Sequence, residues 1–221
     1  MARAGSSWRG TIIATTLPGN TGVPTTYSRS ESPQTGTLLW GTTGVAVCTV
    51  PGDQIIGEAV PDGAGGLLIF WDDERTGSSD IYGQRISAAG DPQWTANGTP
   101  LCAASGVQRF ASQSVVEDGA GGAIVAWYDQ RDDEGDVYVQ RISGNGTVLW
   151  ATNGVPVRVA PGAQYPGHLI SDGFGGAIAP WSTAPSYGNL DIYAQRISPA
   201  GAMLWSTGIP LSTFSGDQYP R

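Results

Sequence analysis

Residues 108–150 read QRFASQSVVEDGAGGAIVAWYDQRDDEGDVYVQRISGNGTVLW. In order they hold a Gly-rich turn, an apolar run ending in Trp127, an acidic loop, a Tyr-x-Gln-Arg segment and a Leu-Trp pair. Nearly the same order occurs in residues 54–94, QIIGEAVPDGAGGLLIFWDDERTGSSDIYGQRISAAGDPQW, and in residues 164–205, QYPGHLISDGFGGAIAPWSTAPSYGNLDIYAQRISPAGAMLW. Trp40, Trp94, Trp150 and Trp205 lie 54, 56 and 55 residues apart, and Gln54, Gln108, Gln164 and Gln218 lie 54, 56 and 54 apart. Self-similarity at a fixed period marks a repeat architecture. Four such periods account for essentially all of the 221 residues.

Each period predicts four short antiparallel strands. SQSVVE is the first, and Asp-Gly-x-Gly-Gly turns it into the second because glycine supplies positive φ without steric cost. GAIVAW is almost continuously apolar, the pattern of a strand covered on both faces. A polar loop leads to DVYVQRIS, and an NG or AG turn leads to a fourth strand expected at TVLW and onward to NGVPV. Four strands per repeat without helical periodicity suit a propeller blade.

The N-terminal segment GTIIATTLPGNTGVPTTYSRSESPQTGTLLW, residues 10–40, aligns with GAIVAWYDQRDDEGDVYVQRISGNGTVLW as a degenerate copy. It lacks the aspartates, the Trp of strand two and the Gln. The C-terminal GDQYPR, residues 216–221, repeats GAQYPG, residues 162–167, and so supplies the missing first strand. The expectation is an all-β, four-bladed β-propeller over residues 1–221. Blades one to three comprise 40–94, 95–150 and 151–205, and blade four is assembled from 1–39 plus 206–221. The termini can close the ring within one molecule, which removes open sheet edges. Alternatively, residues 216–221 can complete a neighbouring molecule, giving head-to-tail self-association, or the chain can be a segment of a longer array.

The succession DGAGGAIVAW, D-x-R, DIYAQRIS and G-x-x-LW-x-x-NG-V-P-V resembles the repeat of large secreted bacterial β-propeller proteins, well over residues 36–221 and weakly over 1–35. The resemblance implies an extracellular or cell-surface propeller module and names neither ligand nor reaction. Residues 182–190, STAPSYGNL, depart from it, with Thr183 where the other copies carry Asp.

Composition narrows the function further. The net charge is −8, every basic residue is Arg, and no basic cluster exists, so a nucleic-acid partner is not expected. No apolar run approaches the ~18 residues of a membrane-spanning segment. The opening MARAGSSWRG lacks the apolar core of a secretory signal, so an exported form is expected to be mature or trimmed. Cys48 and Cys102 hold equivalent places in successive repeats, where the next copies have Arg158 and Ser212. Such places are normally too far apart for the ~4.4–6.8 Å Cα separation of a disulfide, so two small buried residues are expected.

Residues repeated in every blade, such as Asp80, Asp136 and Asp191 or the Arg of Gln-Arg, are expected to be structural, because a single reaction site is asymmetric. The acidic loop holds weak calcium candidates at Asp129, Asp132, Asp133 and Asp136, without EF-hand spacing; no cofactor is otherwise expected. Glu58, Ser114 and His168 stand four residues before the turn Asp of their copies. They are ligand-binding candidates if the first strand lines a central channel. A Ser/His/acid assembly needs geometry that spacing cannot supply, so no catalytic residue is assigned. Tyr128 and Tyr187 lie outside the core pattern and are candidates for stacking on a glycan. The favoured reading is a non-catalytic structural or adhesion module, with a glycan-binding lectin as the alternative and a glycosidase-like enzyme further behind.

Overall fold

The computed structural model of the chain describes residues 12–15, 26–29, 39–132, 134–186 and 189–213. They form sixteen antiparallel strands in four meandering sheets. The first sheet holds β1 (Ile12–Thr15), β2 (Thr26–Arg29) and β3 (Val45–Ala46). The second holds β4 (Gln54–Pro61), β5 (Leu67–Asp73), β6 (Asp80–Ile86) and β7 (Thr99–Cys102). The third holds β8 (Gln108–Glu117), β9 (Ala123–Asp129), β10 (Asp136–Ile142) and β11 (Val155–Arg158). In the fourth, β12 (Gln164–Pro166) and β13 (Ile170–Ser171) both pair with β14 (Ala177–Ser186), followed by β15 (Asn189–Ile197) and β16 (Ile209–Ser212). Among the described residues there is no helix, and none therefore long and apolar enough to cross a membrane.

The apolar runs explain how the sheets stack. Every residue of β5 is buried, and successive side chains of a strand point to opposite faces. Leu67, Ile69 and Trp71 pack towards Trp40, Val47 and Cys48 of the preceding repeat. Leu68 and Phe70 pack towards Val115, Ala123, Val125 and Trp127 of the third sheet. In β9, Ile124 and Ala126 turn instead towards Leu169, Ala177, Ala179 and Trp181 of the fourth sheet. The second and third sheets thus each share one core with the sheet before and another with the sheet after.

The Asp-Gly-x-Gly-Gly turns work as the sequence predicts, with one refinement. Gly119 and Gly121 have φ of 75° and 83°, and the other two turns match them. The last glycine, Gly66, Gly122 or Gly176, serves close approach instead, since a Cβ there would collide with the carbonyl oxygen of Ile86, Ile142 or Ile197.

The fourth strand lies later than the sequence pattern suggests. It occupies Val155–Arg158, whereas TVLW makes only an isolated bridge from Val148 to Ile142. Buried Gln140 holds Trp150 in a turn: its Oε1 accepts the Trp150 backbone N–H at 3.0 Å and its Nε2 donates to the Ala151 carbonyl at 2.8 Å. Gln84 and Gln195 make the same bonds around Trp94 and Trp205. The proposed first-strand segment 216–221 lies outside the described residues.

Candidate functional site

Two charged clamps recur along the stack. In the first, Oδ1 of Asp62, Asp118 or Asp172 accepts two backbone N–H groups of its own turn. Its Oδ2 receives the Arg of the Gln-Arg pair: Arg85 at 3.0 Å, Arg141 at 2.9 Å and Arg196 at 3.0 Å. Arg85 and Trp94 then both donate to the carbonyl of Gly144 in the next sheet, and Arg141 and Trp150 to that of Pro199. Trp40 reaches Ala88 in the same way. Arg and Trp therefore bolt the second sheet to the third and the third to the fourth, and among the described residues Trp40 alone does so at the first seam.

The second clamp sits at the other end of strand two. Asp129, 1% exposed, accepts Trp127 Nε1 at 2.7 Å and Arg131 through Nε at 2.9 Å and Nη2 at 2.5 Å. The Arg131 guanidinium lies 3.9 Å from the centre of the Tyr138 ring and donates to the Asn153 carbonyl and to Cys102 Sγ of the second sheet. Asp73, Trp71, Arg75, Tyr82, Asn97 and Cys48 repeat the arrangement one sheet earlier. Burial pushes the Asp73 carboxyl up, but the bonds from Arg75 and Trp71 outweigh it and hold it below the usual range. Both cysteines are free and buried, and burial pushes the Cys102 thiol up to about 12.

This accounts for the acidic loop. The Asp129 carboxylate is spent on Trp127 and Arg131, and Asp136 accepts the Ala160 N–H at 3.3 Å. Asp132 is exposed, and Asp133 lies outside the described residues. No group of three or more acidic, His or Cys ligands suited to a metal ion exists among the described residues.

In the fourth sheet the first clamp survives and the second is dismantled. Thr183 stands in place of Asp129, and Arg158 stands in place of Cys102 on the preceding sheet. Trp181 still stacks on Tyr193, with ring centres 5.6 Å apart. Its indole Nε1, however, is buried without a hydrogen-bond partner, and so is Asp191 Oδ1. A cavity of about 410 Å³ opens there, lined by Arg158, Trp181, Thr183, Asp191, Tyr193 and Thr207. Buried polar groups are almost always paired, so two orphans in one cavity mark a place built for something else.

The structure also brings Glu58, Ser114 and His168 into one neighbourhood. All three follow irregularities in strand one: register shifts in β4 and β8, and the break between β12 and β13. Glu58 accepts the Val115 N–H at 3.2 Å. Burial raises its carboxyl, against the lowering effect of the Ser114 and Val115 N–H groups and of His168. Ser114 is fully buried and its hydroxyl donates to the Ala111 carbonyl at 2.7 Å, an arrangement that closes the bulge in β8. Of the three, Glu58 ties neighbouring first strands together, whereas the Ser114 hydroxyl bonds within its own strand. A shallow, open depression lined by Val60, Val116, Glu117, Gly119 and Ser171 lies further along the same strands.

Tyr128 stacks on Tyr165 across the third and fourth sheets, with centres 5.7 Å apart and planes 6° from parallel. Its hydroxyl donates to the Glu134 carbonyl. Tyr187 lies outside the described residues. Sequence reasoning noticed Thr183 and Arg158 singly but missed the cavity they share with Trp181, Asp191 and Tyr193. The signal available was that both substitutions touch the same clamp. No family model matches the chain, and no curated protein matches it.

Proposed function

We propose that the chain is a four-bladed β-propeller acting as a non-catalytic, extracellular or cell-surface binding and assembly module. The observation that carries this reading is the constant step from sheet to sheet. The same indole-to-carbonyl bond joins the first sheet's repeat to the second, the second to the third, and the third to the fourth. A stack that repeats one step and twists steadily is the kind that closes on itself.

Its last face supports closure. Leu101 and Val157 on the fourth strands of the second and third sheets are 2% and 6% exposed, whereas Leu211 in the same place on β16 is 58% exposed. Closure would cover this face with the first sheet, residues 216–221 adding its first strand by their likeness to 162–167. The non-catalytic reading rests on occupancy: the repeated Asp and Arg side chains are held in clamps, and the Ser114 hydroxyl is bonded to backbone.

Light scattering on the full chain and on a chain lacking residues 216–221 tests the assembly. A closed ring predicts a monomer that stays monomeric but loses stability on deletion. Concentration-dependent polymers that dissolve on deletion would replace the closed ring with strand exchange between molecules. A deletion that changes neither mass nor stability would overturn both.

A further inference from the structure

We propose that the cavity at the fourth sheet is a receptor for a carboxylate whose carrier also bears a hydrogen-bond donor. In the second and third sheets a carboxylate lies between an indole N–H and a guanidinium, in the triads Trp71–Asp73–Arg75 and Trp127–Asp129–Arg131. The fourth sheet keeps the indole as Trp181 and offers the Arg158 guanidinium to the same cavity, but its own carboxylate has become Thr183. The carboxylate is gone and Pro185 stands where the triad has its Arg; the indole remains, and a guanidinium lines the cavity from the neighbouring sheet instead.

Three features make this a built site. Trp181 is only 1% exposed, and its Nε1 has no acceptor. Arg158 makes no ion pair among the described residues, and its position is that of the cysteines whose sulfur receives Arg75 and Arg131. Asp191, paired opposite Thr183 in the β14–β15 ladder, adds a buried Oδ1 without a donor. An anion in the cavity satisfies Trp181 and Arg158, and a hydroxyl or ammonium beside it satisfies Asp191. The carrier lies towards Tyr193, at the position where Arg75 and Arg131 cover the rings of Tyr82 and Tyr138. An isolated inorganic anion would leave Asp191 unsatisfied, and a neutral molecule would leave Arg158 unsatisfied. Both charges are therefore read.

The same chemistry is offered by an acidic sugar and by the C-terminus of a peptide. Isothermal titration with glucuronate against glucose, and with glycylglycine against glycylglycinamide, separates them. At least one acid is expected to bind, with its neutral partner at least about tenfold weaker, as befits a hydrogen bond to a charged group. Trp181→Phe keeps the ring stack and removes the donor, and is expected to weaken that acid about tenfold. Thr183→Asp supplies an internal carboxylate and is expected to abolish binding. Failure of both acids to bind, equal binding of acid and neutral partner, or undiminished binding by Thr183→Asp would overturn the proposal. None of these results depends on ring closure, since the residues that carry the proposal lie on the third and fourth sheets.

Discussion

The two outer seams flanking the third sheet use the same positions differently. Towards the second sheet, Asp129 is surrounded by Trp127, Arg131 and Cys102, and both carboxylate oxygens and the indole N–H have partners. Towards the fourth sheet, Thr183 and Arg158 replace Asp and Cys, and the indole of Trp181 faces a cavity. As far as Thr183 the backbone keeps its pairing, Trp181 opposite Tyr193 as Trp127 is opposite Tyr138, and the ladder shifts register only beyond it, between Thr183 and Ser186. A repeat can therefore lose a charged clamp and keep its sheet, because the apolar core and the turn clamp hold it. The removed side chains leave a shaped space rather than a collapse.

The largest effect is expected from making the intact seam resemble the open one. Asp129→Thr leaves Arg131, whose side chain is 17% exposed, without its carboxylate and Trp127 without its acceptor. Removing one partner of a buried pair costs about 3 kcal/mol, to be read as a lower urea midpoint. A loss below about 0.5 kcal/mol would mean the clamp does not hold the seam.

The next effect distinguishes the second–third seam from the third–fourth by pH. Asp72, 7% exposed, accepts the Phe110 N–H across the sheets at 2.9 Å. Burial, only partly offset by that N–H and by Arg109, raises its carboxyl from 3.8 to about 6. A raised pKa means the native state holds the proton more tightly than the unfolded chain. The contribution is thus full below the unfolded value and lost as pH rises through the folded one. Asp72→Asn keeps an acceptor for Phe110 and removes the titration. The difference in unfolding free energy between variant and wild type should shift in the variant's favour by about 1–3 kcal/mol from pH 4 to pH 7. A difference that stays flat over this range would contradict the burial of Asp72. At the corresponding place in the next seam, Tyr128 stacks on Tyr165 and offers no such group.

The smallest effect is an expected silence. Cys102 is fully buried with its thiol pushed up to about 12, and burial likewise raises Cys48. A thiol reagent at pH 8 should label neither in the folded chain and both in denaturant. Rapid labelling of the folded chain would show that the clamps around these sulfurs open.

The period of about 55 residues, the glycine turns and the doubly buried second strand were all legible in the sequence, because each is a local pattern with one structural meaning. The fourth strand was misplaced because Leu-Trp reads as an apolar strand. In the structure Leu149 is 45% exposed, and Trp150 is a turn residue pinned by Gln140 and Pro199. Arg131 was legible as a neighbour that offsets the aspartates of the acidic loop, whereas the contact of Asp129 with Cys102, 27 residues earlier, appears only when two sheets are stacked. Glu58, Ser114 and His168 share a position four residues before the turn Asp, but only the structure reveals that the Ser114 hydroxyl is committed to Ala111. The cavity escaped because Arg158 and Thr183, 25 residues apart, meet only when two sheets are stacked.

The most direct test of the claim that the fourth seam presents two donors with no carboxylate between them is equilibrium urea unfolding of Thr183→Asp at pH 7, without added ligand. The new carboxylate would stand opposite Asp191, as Asp73 and Asp129 stand opposite Asp80 and Asp136, and would find Trp181 Nε1 and Arg158 waiting. A gain of about 1–2 kcal/mol is predicted from satisfying those donors with a charged acceptor. A loss of stability would contradict the account, because it would show an added anion to be repelled where the structure places two unanswered donors.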